Sequence, residues 1–271
     1  MNAPTDSSER SAAPAAGRRA RTIAITSGKG GVGKTFMAAN LAAALARRGE
    51  RVLVLDADLG LANLDVVLNL QPKITLHDVF TGKSPLEAAI LPAPGGFSVL
   101  LAGSGLVEYS RLTGEVREQL MSILDQVKPR FDVILLDTGA GISDVVLFAV
   151  SLADEVLVVA TPEPTSLTDA YATIKVLVTQ QGRRQVRLVV NQTGRTGEGR
   201  AIRNQLQQVV DRYVAPALIG PGETVKIELL GDVPTDPAVR EAVLKRQLLL
   251  ETLPGCAAAK AIAALAEKIA G

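Results

Sequence analysis

Gly28-Lys29-Gly30-Gly31-Val32-Gly33-Lys34-Thr35 is the stretch of this 271-residue chain with the clearest chemical meaning. Glycines let a backbone turn so that successive N–H groups point inward, a concavity suited to anionic oxygens. Lys34 follows where an ammonium could reach the outer phosphates of a nucleotide, and the Thr35 hydroxyl could ligate Mg²⁺. The helix beginning near Lys34 adds the positive end of its dipole. The stretch fits G-x-x-x-x-G-K-[ST], the phosphate loop, with Gly28, Gly30, Gly31, Val32, Gly33, Lys34 and Thr35 as its nucleotide-binding residues.

The same letters fit G-x-G-x-x-G through Gly28, Gly30 and Gly33, and Asp56 falls where a dinucleotide site keeps its ribose-binding acid. Three features favour the phosphate loop. Lys34-Thr35 has no role in a dinucleotide site. Asp137, after the apolar run DVILL, sits where a magnesium-side acid belongs. Asp58 lies beyond Asp56 in a loop with its own pattern. A turn that binds nothing would not need four glycines followed by Lys-Thr.

Asp137 could help hold Mg²⁺ or cap the next helix. Asp56 and Asp58 are two apart at a strand end, so both could face the terminal phosphate, and one could position the attacking water. Solvated loop acids are the plain alternative. Lys29 sits too early in the loop to share the phosphates that Lys34 already reaches. It suits either a second subunit's nucleotide or open solvent.

These residues need strands that end together. Apolar runs at Thr22–Ser27, Arg51–Leu55, Ser98–Leu101, Asp132–Leu136, Glu155–Ala160, Gln185–Val190 and Val225–Leu230 predict strands. Helical periodicity marks Lys34–Arg48, Gly114–Lys128, Ser166–Gln181, Gly199–Tyr213, Pro237–Arg246 and Gly255–Ala270. The alternation predicts an α/β, doubly wound, mostly parallel sheet covered on both faces. Residues 1–20 read as a disordered tail, 21–254 as the nucleotide-binding domain and 255–271 as a C-terminal helix.

Composition bounds the rest. There are 29 Lys+Arg against 28 Asp+Glu, so bulk charge selects neither nucleic acid nor membrane. Aromatic residues are 3% and Trp is absent, which argues against base stacking on single strands. One cysteine, Cys256, excludes an internal disulfide and a cysteine-based metal site. The chain reads as cytoplasmic.

GKGGVGKT resembles the deviant phosphate loop of the MinD/ParA ATPases, over essentially residues 21–250. DADLGLANLDVVLNLQP at Asp56–Pro72, DTGAGISDVVL at Asp137–Leu147, TPEPTSLTDAYATIK at Thr161–Lys175 and GDVPTDPAVREAV at Gly231–Val243 resemble its flagellar-number branch, FlhG or FleN. The resemblance implies a MinD-like (SIMIBI) fold and an ATP-sandwich homodimer with ATP and Mg²⁺ as cofactors. It implies Asp58 as the water-positioning acid, Asp137 on the magnesium side and Lys29 as a lysine acting in trans. It implies that Asn191, Val233 and Pro234 meet adenine. Implied partners are the GTPase FlhF, flagellar switch-complex proteins and a flagellar transcription activator. DNA is not expected.

The chain departs from the pattern at Phe36-Met37 and Gly139, and its tail has no DQAxxLR-type motif, the segment that stimulates the partner GTPase in some relatives. On the last helix Ala258, Ile262, Leu265 and Ile269 share one face, with Lys260 and Glu267 opposite. Two readings stay open: reversible membrane contact at the inner face of the cell membrane, or docking on the chain's own sheet. Three functions stay open as well. One is an ATP-dependent dimerisation switch with slow hydrolysis, regulating flagellar number and placement. Another is a DNA-partitioning or division-site ATPase. The third is a non-hydrolysing scaffold.

Overall fold

Strand residues alternate between two faces, and the inner strands of this chain are buried on both. The computed structural model describes residues 19–60, 62–103, 112–214 and 224–271. Its strands are β1 (Arg21–Ser27), β2 (Val52–Ala57), β3 (Ile90–Pro92), β4 (Ser98–Leu100), β5 (Val133–Ala140), β6 (Glu155–Ala160), β7 (Gln185–Thr193) and β8 (Lys226–Pro234). They form one sheet in the order β3-β4-β2-β5-β1-β6-β7-β8. Every pairing is parallel except β3 with β4. The tail predicted over residues 1–20 lies outside the described residues, apart from Arg19 and Ala20.

Eleven α-helices are described. They are α1 (Lys34–Arg47), α2 (Leu64–Leu68), α3 (Leu76–Phe80), α4 (Leu86–Ala89), α5 (Gly114–Val127), α6 (Asp144–Ser151), α7 (Pro164–Gln181), α8 (Glu198–Tyr213), α9 (Pro237–Leu244), α10 (Leu249–Thr252) and α11 (Ala257–Ala270). One face of the sheet, through Ala24, Leu53, Ile134, Val156 and Leu188, packs against α5, α6, α7 and α8. The other, through Ile23, Val54, Leu135, Leu157 and Val189, packs against α1, α2, α10 and α11. Both faces are covered, so the strands read as continuous apolar runs.

Three strands run further than their apolar runs. β5 continues through Asp137 to Ala140, β7 through Asn191 to Thr193, and β8 to Pro234. Polar residues end the hydrophobic pattern while the backbone ladder continues. The short elements α2, α3, α4, β3 and α10 carry too few residues for a period to show.

Of the two readings of the C-terminal helix, the structure shows the docked one. Ala258, Ala259, Ile262, Leu265, Ala266 and Ile269 are buried against α1 and β8. Burying Ile262, Leu265 and Ile269 is worth roughly 4–9 kcal/mol at most. Polar ties add to it: the Arg21 guanidinium donates to the Ile269 carbonyl, Lys268 Nζ to the Leu230 carbonyl at 2.5 Å, and Arg48 lies 3.6 Å from Glu267. Among the described residues no helix is long and apolar enough to cross a membrane.

Asp236 ties α11 to the rest of the chain. Its carboxylate accepts Ala238 N–H at 3.0 Å, capping α9, and Ala258 N–H at 3.1 Å, in the first turn of α11. These N–H groups, that of Ala238 first, hold its carboxyl below the usual carboxylate pKa. A lowered folded-state pKa gives stability that is present above the unfolded value and lost as pH falls through the folded one. Asp236→Ala should cost about 1–2 kcal/mol in urea unfolding at pH 7. The gap from wild type should close on acidification below the ordinary carboxylate range. Equal midpoints at pH 7 would overturn this.

Candidate functional site

β1 delivers the glycine loop to the N-terminus of α1, at the carboxyl edge of the sheet. Gly31 and Gly33 have φ of 77° and 96°, backbone that glycine adopts without strain. Gly33 is also the N-cap of α1, where a Cβ would lie 2.6 Å from Asn191 Nδ2. Gly28 is fixed by a close approach: a Cβ there would lie 2.2 Å from the Asp169 carbonyl oxygen of α7. Gly28 is thus a packing glycine, and Gly30, Gly31 and Gly33 line the cleft.

The cleft has a volume of about 1040 Å³, large for a nucleotide-sized ligand. Lys34, Thr35, Asp58 and Gly139 line one part of it; Asn191, Pro234, Thr235, Asp236, Val239 and Arg240 line another. Lys34 Nζ donates to Ser27 Oγ at 2.9 Å. Burial lowers its pKa below the ordinary lysine value, opposed by the charges of Asp137 and Asp58.

Asp56 and Asp137 stand opposite each other in the β2–β5 register. Both are buried, at 1% and 2% exposure, so neither carboxylate is solvated. Burial, with the Asp137 charge second, raises the Asp56 pKa well above the usual range. Burial pushes Asp137 up to about 7, against the pull of a Thr35 hydrogen bond and the Lys34 charge. Asp56 Oδ2 and Asp137 Oδ1 are buried with no hydrogen-bond partner among the described residues. An orphaned oxygen of Asp137, which Thr35 hydrogen-bonds, and one of Asp56 across the strand register make a hard-oxygen set that fits Mg²⁺.

The structure separates Asp56 from Asp58, which the two-residue spacing had sent to the same phosphate. Asp58 lines the cleft, while Asp56 lies beneath it and accepts the Asp58 N–H at 3.2 Å. Asp56 therefore anchors the backbone of Asp58. Gly139 leaves Asp58 room, since a Cβ there would lie 3.3 Å from Asp58 Cγ.

Lys29 points away from the loop it belongs to. Its Nζ lies 2.5 Å from Glu163 Oε2 and 3.0 Å from Thr165 Oγ1, at the start of α7. Asn191, expected at adenine, spends its amide on the loop: Nδ2 donates to the Val32 carbonyl at 2.8 Å and Oδ1 accepts Gln192 N–H at 3.0 Å. Val233 is buried behind the cleft wall that Pro234 lines.

Sequence reasoning missed Gln192, whose φ is 60°, and the α9 residues Val239, Arg240 and Val243, all facing the cleft. The Thr-Asp-Pro start of α9, separated by four residues from the apolar run that ends at Leu230, was the available signal.

A parallel sheet whose first strand runs through a glycine loop into a helix, with Lys34, Thr35 and strand-end acids at one cleft, defines a P-loop nucleotide-binding protein. The chain belongs to the ParA family of P-loop NTPases: residues 18–270 match the family model described as NUBPL iron-transfer P-loop NTPase. It is similar to the antiactivator FleN of Pseudomonas aeruginosa, with 42% identity over 92% of this chain and 86% of that protein. It is similar in structure to the cell division ATPase MinD of Pyrococcus furiosus, with a TM-score of 0.74 and 32% identity over 92% of this chain and 98% of that one. Septum site-determining MinD of Pyrococcus horikoshii, solved with Mg-ADP, has a TM-score of 0.73 at 29% identity over 92% and 96% of the two chains. The only cysteine, Cys256, uses its sulfur to cap α11, accepting Ala259 N–H at 3.3 Å. One chain thus lacks the set of thiolates that holds an iron–sulfur cluster.

Proposed function

We propose that this protein is a Mg-ATP-dependent dimerisation switch with slow ATP hydrolysis, regulating flagellar number and placement. The observation that carries the reading is the arrangement of Lys34, Thr35 and Asp58 around one cleft, with buried Asp137 behind, while Lys29 stays outside. Lys34 and the loop N–H groups bind the phosphates. Thr35, Asp137 and Asp56 form the magnesium side, and the bound ion would neutralise charge on the phosphates. Asp58 positions the attacking water. Lys29 leaves Glu163 and reaches the nucleotide of a second copy, as an arginine finger does in trans. Pro234 and Asn191 stand at the base end of the cleft.

The likeness to an antiactivator supports a flagellar transcription activator as one partner. The GTPase FlhF and flagellar switch-complex proteins complete the proposed set. The protein works in the cytoplasm, with reversible membrane contact when α11 leaves its seat.

Light scattering on wild type and Asp58→Ala, each with ADP and with ATP plus Mg²⁺, tests this. Asp58→Ala should be a stable dimer only with ATP plus Mg²⁺ and should hydrolyse the ATP about 100-fold more slowly. Monomers in every state would end the dimerisation reading.

A further inference from the structure

β8 is the last strand of the sheet, and a second groove, of about 560 Å³, runs along its outer edge between α8 and α11. Arg200 and Arg203 of α8, Lys226 of β8 and Lys268 of α11 bring four cations to it; Glu228 and Asp232 bring two acids. Arg200 and Arg203 are three apart, so they share a helix face. Among the described residues, Arg200, Arg203 and Lys226 form no ion pair. Arg203 Nε is buried and has no hydrogen-bond partner among the described residues, an arrangement that costs free energy unless something fills it. Glu228 is already engaged, accepting from Gln185 Nε2 at 2.6 Å and lying 4.0 Å from Arg187. With Asp232 as the remaining acid, four cations still outnumber two acids, and the net charge of the groove is positive.

The edge itself is not open to an added strand. Gln207 accepts Ile227 N–H at 2.8 Å and donates to the Val225 carbonyl at 2.7 Å, and Lys268 covers the Leu230 carbonyl. These side chains blunt the edge, so recognition here falls to charged side chains. The acids on the groove wall disfavour a uniformly anionic phosphate backbone, whereas a peptide can place its carboxylates only where the cations are. Seven residues of β8, from Lys226 to Asp232, make the floor about 20 Å long, the reach of an extended segment.

We propose that this groove docks an extended, acid-rich peptide segment of a partner protein, with carboxylates on Arg200, Arg203 and Lys226. The site lies apart from the nucleotide cleft and does not depend on the switch proposed above.

Fluorescence anisotropy of a labelled decapeptide of alternating Glu and Ser, whose carboxylates are spaced, with the full chain tests it. Saturable binding is expected at low salt. It should weaken about tenfold in Arg200→Ala/Arg203→Ala, and several-fold in Lys226→Ala, whose exposed side chain puts folding at no risk. Arg212→Ala, elsewhere on α8, should leave it unchanged. ATP affinity should be equal in all variants, which separates this result from any failure of the switch. The proposal is overturned by absent saturation, by equal losses in Arg212→Ala, or by tighter binding of a decathymidylate strand or of phosphatidylserine vesicles than of the peptide.

Discussion

Lys34→Ala should lose ATP affinity by about 100-fold or more, measured by calorimetric titration with Mg²⁺ present. The half-buried ammonium is held by Ser27 and feels the charges of Asp137 and Asp58, and its own charge is what reconciles those carboxylates with a polyphosphate. Truncating one member of a buried, hydrogen-bonded charge set typically costs about 2–5 kcal/mol, and about 1.4 kcal/mol is a factor of ten. The loss should exceed that of a binding contact alone, because the acids would then face the phosphates uncompensated. Dimerisation and hydrolysis should disappear with it. Affinity within about threefold of wild type would show that the loop backbone alone binds the phosphates.

Asp137→Asn should act in opposite directions with and without ligand. In the metal-free protein the buried Asp56–Asp137 pair is mutually repulsive, and burial raises both pKa values. A carboxyl at about 7 in the folded state, against 3.8 ordinarily, holds a proton that the unfolded chain releases between those values. Stability then falls as pH rises from about 4 to about 7, by up to about 1.4 kcal/mol per pH unit for one proton. Asparagine carries no such proton and relieves Asp56 as well. Urea unfolding without ligand should therefore find the variant more stable than wild type at pH 8, by a smaller margin at pH 5. With Mg-ATP the order should reverse, because wild type gains ligand stabilisation that the variant lacks. Metal affinity or hydrolysis should fall about 10–100-fold. A pH-independent difference between the two proteins would defeat the argument.

The parallel sheet, its two helical layers and the loop at its carboxyl edge were legible because each has a local signature. Branched aliphatic runs mark buried strands, and glycines before Lys34-Thr35 mark the loop. What the pattern could not supply was anything that depends on a distant neighbour. Asp56 and Asp58 have identical spacing signals, and only the β2–β5 register sends one beneath the other. Lys29 reads as a residue without a partner until α7 brings Glu163 to it across 134 positions. Asn191 carries a donor and an acceptor that suit adenine, and the same pair suits the loop carbonyl it meets here. Asp236 drew no reading of its own; that it caps α9 and also reaches the first turn of α11 required the tertiary fold. The groove beside β8 gathers its cations from three elements, none of which looks unusual alone.

The central position of β1 has a consequence for synthesis. β1, the first strand among the described residues, is flanked by β5 and β6, with Arg21 opposite Val133 and Ile23 opposite Glu155. Neither partner exists until roughly 110–130 more residues have been translated, on the order of ten seconds at about 5–20 residues per second. For that interval the nascent chain carries Thr22–Ser27 and the apolar α1 without their final neighbours, and the glycine loop between them has no frame to hold it. Non-local pairing of this kind slows folding and prolongs the exposure of sticky surface. The P-loop, though near the start of the sequence, thus acquires its frame only after β5 and β6 have been made.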